Sequence, residues 1–290
     1  MTASTSALQP PGRFAYLARR YFARRVVVLA TLVLVAIVVL AVGISWFSST
    51  DPNAIAVMQR LRAPSWSHWA GTDQLGRDVF LRIAYGGRYS LTIGAITALG
   101  AVVAGTLLGM AAGYFRWADG PIMRVVDAMM AFPDILLGIA LVAILGPSLW
   151  NVVLALVIVY TPRVARVARA STLVLRDLLY VDAARAIGTP TRRILSLHIL
   201  PGLVSPTLVQ FTFIFAYAIL AEAALSFLGV GVPPSIPTWG TMIAGSLNYS
   251  DQAFWTILCP GLAIVITSLS LQIAGDGVRD CLDPKLRRAA

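Results

Sequence analysis

Carboxylates are rare in the apolar stretches of this chain, and those that occur there are its first candidates for chemistry. Glu222 is the only glutamate among the 290 residues, and no other charge lies between Arg193 and Asp251. A carboxylate in the middle of a membrane costs on the order of 2.5–3.5 kcal/mol, so it must face water or a partner. Glu222 can pair with an arginine of another chain, attract the amino group of a solute or carry a proton. Asp134, which follows Pro133 in another apolar run, can act in the same ways or cap the turn that the proline breaks.

Residues 176–201 form the longest polar interval in the second half of the chain and offer a different kind of site. Leucine and alanine recur there at helical spacing until Gly188, which suits the end of a helix. Thr189 as a side-chain cap and Pro190 in a first turn then predict a second short helix after a bend. The flat surface at Ala183 and Ala184 would let another protein approach closely, although the pattern also allows a simple charged loop. The charged residues around that surface are Asp182, Arg185, Arg192 and Arg193.

A third candidate is the run Gly-Thr-Asp-Gln-Leu-Gly-Arg-Asp, within a segment from residue 48 to residue 89 that is too long for a mere connection. The glycines permit tight turns, and Arg77 can pair with Asp73 or Asp78. Both a purely structural turn and a contact with another protein remain open. His68 and the aspartates lack the spacing of a calcium loop, so no metal site is predicted. The residues of this candidate are Gly71, Thr72, Asp73, Gly76, Arg77 and Asp78.

Membrane helices must position these residues. The chain is 58% hydrophobic and only 12% charged, whereas soluble domains are about 25% charged. Residues 26–50, 89–115, 194–221 and 252–275 are free of charge, and each run exceeds the roughly 20 residues that a spanning helix needs. Two further spans are expected at Ile122–Leu145, with a kink at Pro133, and from Trp150 to Ser171. We therefore predict an all-α polytopic membrane protein with six transmembrane helices. The glycine-rich span before Tyr114 should pack centrally.

The distribution of basic residues predicts the orientation, because cytoplasmic loops are enriched in Lys and Arg. With the N-terminus inside, 18 of the 23 basic residues lie on the inner side. Both termini are then cytoplasmic. Residues 1–25 form a cytoplasmic segment with an interfacial helix, 26–47 the first span, 48–89 an extracytoplasmic loop, 90–280 a five-helix core and 281–290 a cytoplasmic tail. This asymmetry accounts for the net charge of +10, so no nucleic-acid partner is predicted.

Several kinds of catalytic or binding chemistry are missing from the sequence. Lys285 is the only lysine, so there is no Gly-rich phosphate loop that ends in Gly-Lys-Ser or Gly-Lys-Thr. With two histidines in total and no Gly-x-Ser-x-Gly motif, zinc hydrolysis and serine proteolysis lack their groups. Cys259 and Cys281 would lie on opposite sides of the membrane and cannot pair. We expect no enzymatic activity, no cofactor and no metal in this chain, so the energy for any transport must come from elsewhere.

Several of these segments resemble the permease subunits of bacterial ATP-binding-cassette (ABC) importers. Asp182-Ala183-Ala184, followed by Gly188 and by Leu200-Pro201, is similar to the EAA loop of that family. Asp182 stands where Glu is usual, and His198 where many members have Ile. The run at residues 71–78 resembles a signature of the second permease in dipeptide, oligopeptide and nickel importers. Residues 221–229 and the tail from residue 275 also resemble this branch, and the similarity covers almost all of the chain after residue 12.

The resemblance implies a type I importer permease in the bacterial cytoplasmic membrane, most simply for di- or oligopeptides. It implies a second homologous permease, one or two cytoplasmic ATPases that hold ATP and Mg, and an extracytoplasmic substrate-binding protein. Residues 176–201 would be the coupling helix that docks into the ATPase, with contacts at Asp182, Ala183, Ala184, Arg185, Gly188, Arg192 and Arg193. Asp134, Glu222 and Trp239 are candidates for the translocation pathway or a gate, Trp239 because it lies in a rigid, proline-rich outer loop from Gly231 to Phe254 that could help close the outside. The alternative is a stand-alone proton-coupled carrier that uses Glu222 and Asp134.

Overall fold

A computed structural model describes residues 21–22, 24–47 and 51–282 of the chain. Secondary structure in this part is helical apart from one β-bridge, which pairs Thr72 with Asp78. The predicted interfacial helix before residue 25 and the tail after residue 282 fall almost entirely outside the described residues. The helices are α1 Arg25–Phe47, α2 Val79–Tyr114, α3 Arg116–Met130, α4 Asp134–Leu145, α5 Leu149–Arg176, α6 Leu179–Ala186, α7 Thr191–Ile194, α8 Leu200–Phe227, α9 Trp239–Ser246 and α10 Trp255–Leu282.

Among the described residues, five helices are long and apolar enough to cross a membrane: α1, α2, α5, α8 with the turns before it, and α10. The sixth span differs from the single kinked helix that the sequence predicts. It consists of α3 and α4, which meet at an angle of 97° and could cross only as a broken pair. Pro133 causes the break, since it occupies the N-cap of α4 in an extended conformation and has no N–H to continue α3. What the sequence predicts as a kinked helix is therefore two helices.

Helices α2 and α5 pack side by side at the centre of the bundle, where glycines allow their backbones to touch. A Cβ added to Gly105 would lie 2.5 Å from Val164 Cβ, and one added to Gly109 would lie 2.3 Å from the carbonyl oxygen of Ala165. Neither distance is compatible with a larger residue unless the helices move apart. Helix α2 also packs against α1 and α8, which confirms that the glycine-rich span is central.

Helix α2 begins well inside the segment that the sequence predicts as a loop over residues 48–89. Asp78 caps it by accepting a hydrogen bond of 2.9 Å from the Leu81 N–H, so residues 79–89 are helical. The sequence does not reveal this helix start, because the charged Arg82 in the first turn makes the segment resemble a loop. The side chain of Arg82 is buried, where it donates 2.7 Å to Asn53 Oδ1 and 3.2 Å to the carbonyl oxygen of Pro52.

The bundle has two distinguishable ends. At one end, which we call the α6 end, the guanidinium of Arg185 in α6 lies 5.3 Å from the centre of the Tyr114 ring at the close of α2. The segment 51–78 and helix α9 lie at the other end, beside the start of α2. The polar candidates from the sequence are therefore divided between the two ends and the helices that join them.

Candidate functional site

Residues 176–201 fold into two short helices with a bend, as predicted. Helix α6 ends at Ala186, and Gly188 adopts a left-handed φ of +77°. The N–H groups of Gly188 and Thr189 donate 3.0 Å bonds to the carbonyl oxygens of Arg185 and Ala184, which closes the helix end. One detail of the prediction is wrong. Pro190, with no side-chain hydrogen bond, takes the N-cap of α7 that Thr189 was expected to hold.

The inner face of this element packs on the bundle. Ala184 is only 6% exposed and belongs to an apolar cluster at the α6 end, whose buried members are Val181, Ala184, Ile194, Ile199 and Leu203. Of the predicted flat surface, only Ala183 is exposed. Ala184 anchors α6 to the rest of the chain, because a larger side chain at that position would push α6 away from the cluster.

The outer face of α6 carries two large apolar side chains that the sequence analysis missed. Leu179 is 87% exposed and Ile187 is 82% exposed, on either side of the exposed Ala183. Helical spacing relative to the inward-facing Val181 and Ala184 could have identified them. The charged residues Asp182, Arg185, Arg192 and Arg193 are exposed around them, and Arg185 Nη1 donates a 3.0 Å bond to Asp182 Oδ1. The outer face is thus apolar at its centre and charged at its edge.

The run at residues 71–78 is a compact turn that lies against the start of α2. Gly71 and Gly76 have φ near +70°, and a Cβ at Gly76 would lie 1.8 Å from the carbonyl oxygen of Ala56. Thr72 is fully buried; its hydroxyl accepts a 2.8 Å bond from the Arg62 N–H, and its carbonyl oxygen accepts a 3.2 Å bond from the Trp255 indole. These glycines are required because the backbone needs the left-handed region and close approach.

Asp73 is the centre of the polar network in this turn. Its Oδ1 accepts 2.9 Å bonds from the N–H groups of Leu75 and Arg77, and its Oδ2 accepts a 2.6 Å bond from Arg77 Nε. Arg82 Nε lies 3.8 Å from the same Oδ2. Of the two pairings predicted for Arg77, the structure therefore shows the one with Asp73. Asp78 instead contacts His68 Nδ1 over 2.8 Å, and the described residues contain no cluster of metal ligands.

Glu222 lies inside the chain and faces no open path in this structure. Its side chain is 1% exposed, and its Oε1 accepts 2.8 Å bonds from the hydroxyls of Thr238 and Ser226. Glu222 Oε2 is buried without a hydrogen-bond partner among the described residues. The carboxyl group thus joins α8 to the N-terminus of α9.

Trp239 and Asp134 occupy different surroundings. Trp239 is buried against α2, where its backbone N–H donates 3.1 Å to Ser90 Oγ and its indole donates 2.9 Å to the carbonyl oxygen of Ile83. It anchors α9 in this structure. Asp134 is exposed in the first turn of α4, where a carboxylate is favoured by the helix dipole. Glu222 and Trp239 are linked through Thr238, whereas no hydrogen bond or ion pair among the described residues links Asp134 to them.

The family described as "Binding-protein-dependent transport system inner membrane component" matches residues 101–288. A Brucella suis protein, named as a peptide transport system permease, is 49% identical over 247 residues, which are 85% of this chain and 83% of that protein. The dipeptide transport system permease DppC of Alkalihalophilus pseudofirmus is 46% identical over 244 residues, 84% of this chain and 79% of that protein. The di/tripeptide permease DppC of Pseudomonas aeruginosa is 42% identical over 252 residues, 84% of this chain and 83% of that protein.

Among solved structures, the MetNI methionine ABC transporter in an inward-facing conformation matches with a TM-score of 0.58. The match covers 70% of this chain and 97% of the other, at 17% identity, so it concerns the fold alone. The prediction of a type I importer permease fold is confirmed. The prediction that the chain is a multi-pass protein of the inner membrane is confirmed as well. Nothing in these comparisons supports the stand-alone proton-coupled carrier. This chain belongs to the family of inner membrane components of binding-protein-dependent transport systems.

Proposed function

We propose that this chain is the permease subunit of an ATP-driven ABC importer for di- or oligopeptides, and that it hydrolyses no nucleotide itself. One observation carries the peptide assignment: relatives at 42–49% identity over most of their length are named as peptide, dipeptide or di/tripeptide permeases. The sequence adds the absence of a phosphate-binding loop, so ATP and Mg belong to a partner chain.

The α6 end faces the cytoplasm in this proposal, and both termini lie on that side. Support comes from the basic residues, since Arg176, Arg185, Arg192 and Arg193 cluster at the α6 end, as cytoplasmic loops require. The segment 51–78 then lies outside, where the substrate-binding protein approaches. A second, homologous permease completes the pathway, and one or two cytoplasmic ATPases dock on α6.

The outer face of α6 is the proposed contact with an ATPase, through Asp182, Ala183, Arg185, Gly188, Arg192 and Arg193 as predicted, together with Leu179 and Ile187. The helix is well placed to transmit force. Only Asp177 and Leu178 separate it from α5, and α7 continues through a π-helical turn, Leu195–Ile199, directly into α8. Displacement of α6 would therefore tilt two membrane-spanning helices at once.

Such a coupling has an energetic requirement. Inverting a 1:99 equilibrium between inward-facing and outward-facing states takes about 5.5 kcal/mol of differential binding. Burial of an apolar side chain contributes about 1.5–3 kcal/mol, so two such side chains at the contact supply most of this amount if they are buried in one state only.

Copurification and uptake test the proposal together. The tagged chain is expressed with its partner chains, the complex is identified by mass, and uptake of radiolabelled L-alanyl-L-alanine is measured in proteoliposomes that contain the binding protein. We expect an ATPase and a second permease in the complex, and uptake only with ATP. Ala183→Arg and Gly188→Arg should abolish uptake while membrane insertion stays normal. Unchanged uptake in both variants would overturn the coupling role of α6.

A further inference from the structure

Arg163 is a charged residue halfway along a membrane-spanning helix. It follows the first residue of α5 by 14 positions, which is about 21 Å along the helix axis. Its side chain is exposed on the surface of the chain, and its guanidinium lies 5.5 Å from the centre of the Tyr217 ring of α8. A cation at this depth is costly unless it faces water or a polar partner.

The two arginines that follow on α5 are satisfied by aspartates of α3, whereas Arg163 is not. Arg166 Nη2 lies 2.6 Å from Asp127 Oδ1, and Arg169 forms a two-pronged pair with Asp119. Within the described part of the chain, no carboxylate lies within ion-pairing distance of Arg163. Its ring contact with Tyr217 therefore leaves the hydrogen-bonding capacity of the guanidinium open to a group from outside the chain.

A cavity of about 400 Å³ begins one helical turn from this contact, on the side of the α6 end. Val167 of α5, Gln210 and Phe213 of α8, and Arg279 of α10 are among the residues that line it. The volume lies within the usual range for small-molecule sites.

This surface differs from the apolar stretches that α2 and α10 expose. The exposed residues of α2 include Leu99, Val103 and Leu107, and those of α10 include Leu262, Val265 and Leu269. Those faces are apolar, as contact with lipid requires. The face that combines Arg163 with Gln210, Phe213 and Tyr217, which we call the path face, carries a guanidinium that hydrocarbon cannot satisfy.

We propose that the path face lines the aqueous route of the transported peptide, and that Arg163 binds the peptide's carboxylate. This inference rests on the proposed function, because it assumes a peptide as cargo. A guanidinium and a carboxylate form the charge-assisted pair that this chemistry favours. The rings of Phe213 and Tyr217 would contact peptide side chains. The path face, and not the buried Glu222, would contact the peptide.

Thiol accessibility tests the aqueous route. In a Cys259→Ala, Cys281→Ser background with cysteine-free partner chains, Phe213→Cys and Tyr217→Cys are compared with Val103→Cys, a half-exposed position on an apolar face. The probe is a membrane-impermeant trimethylammonium methanethiosulfonate, applied to the assembled importer in proteoliposomes. We expect modification at 213 and 217 to be at least tenfold faster than at 103. Equal rates in an importer that takes up L-alanyl-L-alanine would overturn the path face. If the unmodified importer shows no uptake of the dipeptide, it is the proposed function that fails.

Uptake kinetics test the role of Arg163. At dipeptide concentrations that saturate the binding protein, Arg163→Gln should lower the uptake rate of L-alanyl-L-alanine about tenfold, while Arg163→Lys keeps part of it. The uptake of L-alanyl-L-alaninamide, which has no carboxylate, should not fall. Rates are normalised to copurified ATPase, so a loss of assembly is not mistaken for a loss of binding. Equal proportional losses for both peptides, or no loss for either, would overturn the assignment of Arg163 to the carboxylate.

Discussion

Thr238 donates a 2.8 Å hydrogen bond to Glu222 Oε1 and so ties the first turn of α9 to α8. The same hydroxyl accepts a bond from the Thr241 N–H and caps α9, while Thr241 Oγ1 accepts one from the Thr238 N–H. A single threonine thus connects the start of one helix with the only glutamate of the chain. The buried carboxyl group serves the fold at this position.

Removal of the Thr238 hydroxyl should therefore destabilise the protein. Thr238→Val keeps the shape of the side chain but loses both the cap and the donor to Glu222. We expect the free energy of unfolding to fall by about 1–3 kcal/mol. Thr238→Ser keeps the hydroxyl and should remain close to the wild type. The midpoint of thermal unfolding in detergent, followed by tryptophan fluorescence, measures the difference. Equal midpoints for Val and Ser would show that the bond to Glu222 contributes nothing.

Asp73 should be the most sensitive acidic residue outside the membrane spans. Its replacement by Ala leaves the half-buried Arg77 and the buried Arg82 without their carboxylate, so the free energy of unfolding should fall by about 3–5 kcal/mol. Asp73→Ala should therefore reduce the amount of folded protein in the membrane, as measured by fluorescence-detected size-exclusion chromatography. Asp251→Ala, a change at an exposed position, is the matched control and should have little effect. Similar yields for the two variants would contradict the network.

The contact between α2 and α5 predicts opposite effects for two glycines. Gly109→Ala places a Cβ 2.3 Å from the carbonyl oxygen of Ala165 and should lower the free energy of unfolding by about 1–3 kcal/mol. Gly120, in α3, has no atom within 4 Å of an added Cβ, so Gly120→Ala should stabilise its helix by about 0.5–1 kcal/mol. Thermal unfolding of the two purified variants compares them directly. A stable Gly109→Ala protein would show that the helices can separate at little cost.

The apolar centre of the outer face of α6 predicts which substitutions weaken the binding of the ATPase. Leu179→Ser and Ile187→Ser should each weaken binding of the ATPase about tenfold or more, since each removes a large side chain from the proposed contact. Copurification of the ATPase with the tagged chain in a titration with salt and detergent measures the loss. Met58→Ser, which alters a 90% exposed side chain at the opposite end of the bundle, serves as the control. Full copurification with both α6 variants would contradict the contact.

The sequence predicts those parts of the fold that follow from local rules. Charge-free length gives the long spans, and a glycine with a proline after it gives the bend near Gly188, because both depend on residues close together in the chain. The EAA-like pattern also leads to the correct family. Local patterns predict a kink at Pro133, but they do not predict that α3 and α4 meet there at an angle of 97°.

Other features could not be predicted because they depend on contacts between distant residues. Trp239 is anchored to Ser90, 149 residues away, and this contact places its side chain in the core. The burial of Glu222 depends on Thr238, which belongs to another helix. Arg82 resembles a loop residue until its contacts with Asn53 and Asp73 are known. In each case tertiary packing decides the role of a side chain whose type alone suggests another.

In the function proposed here, this chain forms a path and takes its energy from a separate ATPase. The most direct measurement compares the purified chain alone with the complete importer, in the same proteoliposomes, for ATP hydrolysis and for accumulation of radiolabelled L-alanyl-L-alanine. We predict that the chain alone neither hydrolyses ATP nor accumulates the dipeptide, and that the importer does both. Uphill accumulation or nucleotide hydrolysis by the chain alone would contradict the proposal.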